Sequence, residues 1–378
     1  MRATGERSTP AGVVCAAALS VLLCVVGCGP EPPPVDGSEY GAAAAATTAA
    51  DLGGMAALIT AAQAEGELNI VAAASPEADH RELISAFETA YNIRVNVAAP
   101  HASDEEQIAA AVRYAGTDRA PDVFMVGQDT AAAHAAEHFA EYRVRTWEEV
   151  PADSRDPKAR YVGGAAARLS LGFAADTGQA LRTVSDLGEG QGEVALAGDP
   201  QKEEAALLGV VLTALAAGGG PADLAPGAAL LDELDRAGQL RWGTPRRADL
   251  ASGATTAVID WEHANLQRAA DLRGVREWEV VVPSPTVGGL VCQAVNQEAP
   301  HPAAARLWVE FVLSDEGQNL QFRNASYPVR FAAMHQDGTV DTGERAAGAA
   351  EPPLLLTPQQ VAQARDTLRA YGIGPGDE

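Results

Sequence analysis

The chain has 378 residues, of which 47% are apolar, and it carries 27 basic against 51 acidic residues, for a formal net charge of −24. The apolar fraction is that of a globular protein, and the length is sufficient for two domains that each bury a core. The strong negative charge argues against nucleic acid as a partner, because its phosphates would be repelled.

An export signal is predicted at the start of the chain. Arg2 and Arg7 precede an apolar run from Ala11 to Val26, which is shorter than the roughly 20 apolar residues that a membrane-spanning helix needs. The run ends in Val25-Val26-Gly27-Cys28. This ending resembles the bacterial lipobox, in which the cysteine receives a diacylglycerol and becomes the first mature residue. We therefore expect a lipoprotein signal peptide over residues 1–27 and lipidation at Cys28; the alternative is an ordinary secretory signal that is cut slightly further on.

The cysteine count and the next segment complete the picture of the N-terminal region. Removal of residues 1–27 leaves Cys28 and Cys292 of the 4 cysteines. With Cys28 acylated, Cys292 has no partner, so no disulfide is expected even in an oxidising compartment. Cys292 lies in an apolar strand, which predicts a buried, inert thiol. Residues 28–50 are rich in proline and then in alanine, which predicts a flexible linker; the alternative is an extra helix through the alanines.

Strands and helices then alternate, which predicts an α/β fold with parallel strand pairing. In the first half we expect helices over Leu52–Glu65, from Pro76 onward and over Glu105–Tyr114, and strands over Glu67–Ala74, Ile93–Val97 and Pro121–Val126. In the second half we expect strands over Arg168–Ala174, Glu193–Ala197, Thr255–Trp261 and Trp278–Val282, and helices over Glu203–Ala216, Leu230–Ala237 and Ala303–Leu313.

Several segments, in this order and spacing, resemble the type 2 extracellular solute-binding proteins of bacterial ABC importers. The resemblance is to the family 1 group, which includes ferric-iron, polyamine, thiamine and phosphonate receptors. The segments that carry it are Glu67–Val71 with Ser75, Phe87–Val95, Ala120–Val123, Trp147–Pro151, Arg155–Pro157, Ser185–Leu187, Val194–Pro200, Ala299–Trp308, Leu313–Gln318 and Tyr327–Arg330.

The resemblance implies a two-lobed α/β fold, with mixed, mainly parallel sheets, helices on both faces and a ligand cleft between the lobes. It implies lobe I over residues 51–172 and 286–378 and lobe II over 173–285, with chain crossings near Leu171–Ala175 and Val281–Val291. Independently of the resemblance, α/β sheets expose ligand loops at the carboxyl ends of their strands, and binding sites favour domain interfaces.

The resemblance also implies a function. The chain would be the substrate-binding lipoprotein of an ABC import system, exported and anchored to the cell membrane. It would capture a small, charged organic solute as a monomer without a cofactor, and it would meet a permease and its ATPase. It would not be an enzyme. The alternatives are a sensor or interaction lipoprotein with the same fold, and a ferric-iron receptor with an atypical site.

Three candidate ligand contacts lie where helices are expected to begin. Ser75, Asp129 and Lys202 each accompany a helix N-terminus, whose free N–H donors and positive potential suit an anion. Each residue has an alternative role. Ser75 and Asp129 can merely cap their helices, and Lys202 stands beside Glu203 and Glu204, which can serve as first-turn acids.

The other three candidates are Asp260, Trp261 and Glu262, at the end of an apolar strand. A tryptophan face beside carboxylates attracts an ammonium group, so this cluster favours a cationic amine as the ligand. The alternative is that Trp261 packs between sheet and helix while Asp260 caps the helix.

No metal site is expected. Ferric receptors of the resembled family use adjacent tyrosines close to the strand that ends at Trp261, because phenolate oxygen is a hard ligand. This chain has Ala264-Asn265-Leu266 there. His134-Ala135-Ala136-Glu137-His138 matches the H-x-x-E-H motif of zinc proteases, but a solvated helix face is the expected role of this segment.

Overall fold

The computed structural model of the protein describes residues 37–71, 80–100, 102–177, 181, 183–189, 192–341 and 351–375. Within this part of the chain the helices are α1 (Gly37–Ala45), α2 (Met55–Glu65), α3 (Arg81–Tyr91), α4 (Asp104–Tyr114), α5 (Gln128–His138), α6 (Glu204–Ala216), α7 (Ala225–Arg236), α8 (Arg247–Ser252), α9 (Glu262–Asp271), α10 (Pro302–Val312), α11 (Asp315–Arg323), α12 (Phe331–Asp337) and α13 (Pro358–Tyr371). The strands are β1 (Glu67–Val71), β2 (Arg94–Ala98), β3 (Val123–Gly127), β4 (Val162–Ala174), β5 (Glu193–Leu196), β6 (Leu240–Trp242), β7 (Thr255–Trp261), β8 (Trp278–Val281), β9 (Val287–Val295), β10 (Ser326–Pro328) and β11 (Leu354–Leu355).

The sheet confirms the predicted α/β class and shows how its two halves are joined. Along the main path the strand order is β2-β1-β3-β9-β4-β7-β5-β6. Strands at both ends pair in parallel, as in β1 with β2 and β5 with β6. Each antiparallel pairing between the described strands involves β4 or β9. These two strands therefore connect two parallel halves, and the sheet as a whole is mixed.

Strand β4 is the element that passes from one half to the other. Its first part, up to Arg168, pairs with β9, and its second part, from Leu169, pairs with β7. The switch of partner thus lies a few residues before the predicted crossing at Leu171–Ala175. The strand is 13 residues long and is buried over most of its length, as expected for a strand covered on both faces.

Two large hydrophobic cores lie on either side of this crossing, and we call the parts that surround them lobe I and lobe II. The core of lobe I contains an aromatic group in which the Phe87 ring centroid lies 5.2 Å from that of Trp308 and 5.6 Å from that of Phe311. Such edge-on contacts add to the free energy gained from burial.

The core of lobe II surrounds α6, whose residues from Ala205 to Ala214 are all buried. Because this helix is apolar on every side, it must be enclosed rather than lie on the surface. It contacts the second part of β4 through residues such as Leu171. Val361, Ala364 and Leu368 of α13 belong to the same core, although the expected division assigned this segment to lobe I. The exact lobe boundaries stay a prediction.

The prediction of a flexible linker over residues 28–50 is wrong from Gly37 onward. The alternative, an extra helix through the alanines, is correct there. Residues from Gly37 form α1, and Ala43 and Ala46 are buried in the protein. The guanidinium of Arg306, on α10, donates to Ala46 O at 2.9 Å and to Ala44 O at 2.7 Å. The small alanine side chains allow α1 to approach α10 closely, so this segment is part of the folded protein.

Candidate ligand-binding cleft

A cavity of 630 Å³ lies between the lobes. Its lobe I wall is formed by Ser103 and Asp104, at the start of α4. Its lobe II wall is formed by the first turn of α6 and by the residues at the carboxyl ends of β5, β6 and β7. In α/β sheets ligands bind at the carboxyl ends of strands, so the cavity lies where the fold favours a site.

Carboxylates from three separate elements converge beside this cavity. Asp104 begins α4, Asp129 lies in the first turn of α5, and Glu204 begins α6. Gly127 marks where they meet: a β-carbon built on it would lie 3.2 Å from Asp129 Oδ1, 3.3 Å from Asp104 Oδ2 and 3.9 Å from Glu204 Oε2. The Gly127 N–H donates to Asp104 Oδ2 at 2.7 Å. Both lobes therefore contribute negative charge to one place, which we call the acidic cluster (Asp104, Asp129 and Glu204).

Glu204 is the member of the acidic cluster with the least compensation. Within the described part of the chain its carboxylate has no hydrogen-bond donor and no ion-pair partner. Burial, followed by the charges of Asp129 and Asp104, raises the pKa of Glu204 to about 7, against the opposing effect of Arg365. Burial also raises the pKa of Asp104. A cation in the cavity would oppose both shifts, because opposite charge favours the ionised carboxylate.

Arg365, on α13, supplies a positive charge at the edge of the cluster. Its Nη1 lies 3.7 Å from Asp129 Oδ2, which is too long for a hydrogen bond. Its Nε is buried and has no hydrogen-bond partner among the described residues. The backbone of the same residue is held by lobe II, since Gln201 Nε2 donates to Arg365 O at 3.3 Å. The side chain thus reaches from lobe II towards lobe I and makes only a loose contact there.

Tryptophans complete the lobe II wall, where Trp242 and Trp261 line the cavity. The Trp261 side chain and the Glu204 carboxylate lie against the same glycine of β9: a β-carbon built on Gly289 would be 2.8 Å from Trp261 Cη2 and 3.0 Å from Glu204 Oε2. A buried aromatic ring next to carboxylates is a suitable environment for an ammonium group.

The structure brings together four of the six predicted contact residues. Lys202, Asp260 and Trp261 line the cavity, and Asp129 belongs to the acidic cluster beside it. Lys202 is paired with Asp199 at 3.0 Å, and its side chain is 77% exposed. Ser75 and the predicted lipidation site, Cys28, lie outside the described residues. The role of these residues in binding stays a prediction.

The predicted contact at Glu262 stays a prediction, and the structure gives this residue a partner within the chain. Glu262 is buried and is not among the residues that line the cavity, and its Oε2 accepts hydrogen bonds from Arg168 Nε at 3.0 Å and Nη2 at 2.7 Å. Asp260 lines the cavity but also has a partner within the chain, because Arg268 Nη2 donates to its Oδ2 at 2.5 Å. A buried carboxylate needs such a partner, so both acids serve the structure of lobe II first.

Sequence reasoning missed four residues of the cleft: Asp104, Glu204, Trp242 and Arg365. The sequence offers Glu203 and Glu204 the role of first-turn acids, and the structure does not contradict this role for Glu203, whose Oε2 accepts a hydrogen bond from the Asp199 N–H. The signal that separates Glu204 from Glu203 is the all-apolar helix that follows. A helix that is apolar on every side is enclosed by the protein, so an acid in its first turn can face another part of the protein instead of solvent.

The structure also shows the surroundings of two other sequence features. The H-x-x-E-H segment lies on α5, where His134 Nε2 is 3.6 Å from Glu105 Oε2, on the neighbouring α4. Among the residues that the structure describes, no group of three or more His, Cys, Asp or Glu could hold a metal ion. Cys292 is fully buried, which confirms the predicted burial, and this burial raises the pKa of its thiol well above the usual value.

Comparisons with known structures give the same fold. An ABC transporter substrate-binding protein from Bradyrhizobium japonicum has 13% identity and a TM-score of 0.63, over 81% of this chain and 99% of that chain. The spermidine/putrescine ABC transporter substrate-binding protein PotD from Streptococcus pneumoniae has 12% identity and a TM-score of 0.59, over 81% and 98%. Iron-bound HitA from Pseudomonas aeruginosa has 17% identity and a TM-score of 0.58, over 81% and 99%.

Sequence comparisons define the family. A search of curated proteins finds no match, whereas the family model of bacterial extracellular solute-binding proteins matches residues 118–347, more than half of the chain. Within the described residues, none of the helices has the length and apolar character of a membrane span. The two lobes, the cleft between them and the family match agree, and the chain belongs to the bacterial extracellular solute-binding proteins, which bind solutes rather than transform them.

Proposed function

We propose that this solute-binding protein serves an ABC import system as a lipid-anchored receptor and that its ligand is a small organic cation with at least one ammonium group. The observation that carries the proposed ligand class is the acidic cluster, to which both lobes contribute carboxylates at the edge of a 630 Å³ cavity. A ligand that contacts both lobes at once stabilises their closure. An ammonium group between Asp104 and Glu204 would do so.

The aromatic wall supports the same ligand class. Trp242 and Trp261 line the cavity on the lobe II side, and a ring face attracts a cation by about 0.5–2 kcal/mol, depending on how far the cation is desolvated. An aliphatic chain between ammonium groups would pack against the same rings. Spermidine and putrescine, named for the structural relative PotD, have this chemistry.

The features that favour an anion are weaker. Lys202, the basic residue that lines the cavity, is already paired with Asp199 and largely exposed. A carboxylate or phosphate ligand would have to approach Asp104 and Glu204, and like charges at this distance raise the free energy of the complex. Helix N-termini offset this only in part, since each is equivalent to about half a charge.

Calorimetric titration with putrescine, glutarate and ferric citrate tests the ligand class. We expect heat and saturable binding with putrescine only, and at about 100 times the dissociation constant the diamine should stabilise the protein by about 2.7 kcal/mol. Glu204→Gln should weaken putrescine binding by about tenfold or more, because it removes one of the charges that face the ligand. Glu105→Gln, on the exposed side of α4, is the matched control and should change nothing. Binding of glutarate or ferric citrate instead would contradict the proposed ligand class.

The lipid anchor and the import role require separate support. The lipobox-like Val25-Val26-Gly27-Cys28 and the apolar run before it favour a tethered, exported protein. In the native host, Cys28→Ser should move the protein from the membrane fraction to the soluble exported fraction, and uptake of the labelled ligand should fall although purified protein still binds it. An unchanged membrane fraction would contradict lipidation at Cys28.

A further inference from the structure

The C-terminal helix α13 places a cation at the edge of the ligand cleft. Arg365 Nη1 lies 3.7 Å from Asp129 Oδ2, and Asp129 in turn lies beside Gly127 with Asp104 and Glu204. In the described part of the chain, the Arg365 side chain donates no hydrogen bond. An arginine that lies beside one carboxylate of the cluster, yet is not held by it through a hydrogen bond, can leave the cluster at low cost.

The backbone of Arg365 is held by lobe II, whereas its guanidinium contacts a residue of lobe I. Its backbone is fixed to lobe II, because Val361, Ala364 and Leu368 of α13 are in the lobe II core and Gln201 donates to the Arg365 carbonyl. Asp129 belongs to α5, whose Ala131 and Ala135 are in the lobe I core. The contact between Arg365 and Asp129 therefore joins the lobes beside the ligand cavity. The tail that follows α13 reaches the same place, since Pro375 lines the cavity.

We propose that Arg365 is a built-in counter-ion of the cleft: it holds the two lobes together through Asp129 when no ligand is present, and an incoming ammonium group displaces it. The part that concerns displacement rests on the proposed cationic ligand; the part that concerns the lobes does not. Without Arg365, the carboxylates of the two lobes would repel each other in the empty cleft and attract a cation more strongly. Arg365 thus lowers the affinity of the site and restricts it to ligands that can compete with a guanidinium.

The test uses three variants of the complete exported protein. Arg365→Gln removes the charge, Arg365→Lys keeps it, and Arg369→Gln removes a charge one turn later on the same helix, where the side chain is 67% exposed and pairs with Asp366. For ligand-free protein, small-angle X-ray scattering should give a larger radius of gyration for Arg365→Gln than for wild type, Arg365→Lys or Arg369→Gln. An unchanged radius in Arg365→Gln overturns the inference, whether or not any ligand has been found.

The second measurement is calorimetric titration with putrescine. We expect Arg365→Gln to bind putrescine about three- to tenfold more tightly than wild type, because the Arg365 guanidinium no longer competes with the ammonium group for the acidic cluster. Arg369→Gln should bind as wild type does. If wild type binds putrescine but Arg365→Gln binds it equally or more weakly, the displacement by ligand is wrong while the proposed ligand class stands. If wild type binds no cation, the proposed ligand class fails, and the scattering result alone decides whether Arg365 joins the lobes.

Discussion

Glu204 is the single residue whose environment points most directly to a binding site for a cation. It begins a helix whose residues from Ala205 to Ala214 are all buried, and its carboxylate faces the cleft between the lobes instead of the outer surface, where an ordinary first-turn acid lies. Arg365 offsets its charge only in part, and the charges of Asp104 and Asp129 add to the cost of ionisation. An ionisable group that is kept unpaired in a cleft is typical of a functional position, and here it fits a site that awaits a positive charge.

The pKa of Glu204 makes a prediction about stability in the absence of ligand. Because this pKa is raised to about 7 in the folded protein, the folded state binds more protons than the unfolded state between about pH 4.5 and pH 7. The free energy of unfolding should therefore fall as the pH rises through this window. Glu204→Gln removes this contribution and should stabilise the protein at pH 8 by up to about 3 kcal/mol.

Urea unfolding at pH 5 and pH 8 measures this effect. Glu65, whose pKa is also raised to about 7 by burial, titrates in the same window, so Glu204→Gln should reduce the pH dependence without removing it. Glu105→Gln, with a side chain that is 74% exposed, should leave it intact. An equal loss of stability between pH 5 and pH 8 in wild type and Glu204→Gln would show that Glu204 titrates normally.

At the scale of single elements, the unexpected helix α1 depends on one buried arginine. Arg306 is 1% exposed, and its guanidinium donates to carbonyl groups at the end of α1 and to Pro302 O on its own helix. Burial lowers the pKa of Arg306 to about 10, so the side chain still carries its charge at neutral pH. The carbonyl dipoles at the end of α1 are suitable acceptors for this cation.

Removal of this guanidinium should detach α1. Arg306→Met leaves buried carbonyl groups without a donor, which costs about 3 kcal/mol in total, and urea unfolding followed by circular dichroism measures the loss. Arg323→Met is the matched control, because Arg323 makes an exposed pair with Asp341, for which we expect a change below about 0.5 kcal/mol. Equal effects of the two substitutions would mean that the contacts of Arg306 with α1 contribute nothing.

The elements also show what a sequence can reveal. The alternation of apolar strands and helices is a local pattern, and it predicted β3, β5, β7, α6 and α10 within a few residues. It did not predict α1 or α13, because alanine-rich and polar segments become helical when another surface covers them. Glu262 could not be assigned from sequence for a similar reason: its partner Arg168 is 94 residues away. The acidic cluster comes from three separate elements, so only the fold brings it together.

For the whole molecule, the central prediction is that a ligand joins the two walls of the cleft. Backbone amides at the start of α4 in lobe I and from Gly198 to Glu204 in lobe II should exchange hydrogen more slowly when ligand is bound, because closure removes them from water. Helix α8, whose residues do not line the cavity, should exchange at the same rate with and without ligand. Protection of a single wall would mean that the ligand binds one lobe without closure.

Because α1 is part of the folded protein, the tether between the proposed lipid anchor and the folded protein is shorter than the predicted linker over residues 28–50. If Cys28 carries the lipid, the tether to the folded body ends where α1 begins, at Gly37. Gly37 is the ninth residue after Cys28, and nine Cα-to-Cα steps span at most about 32 Å when fully extended. A linker that continued to residue 50 would have more than twice that reach. The receptor would thus search a layer about as deep as the bilayer is thick, which raises its local concentration at a permease in the same membrane.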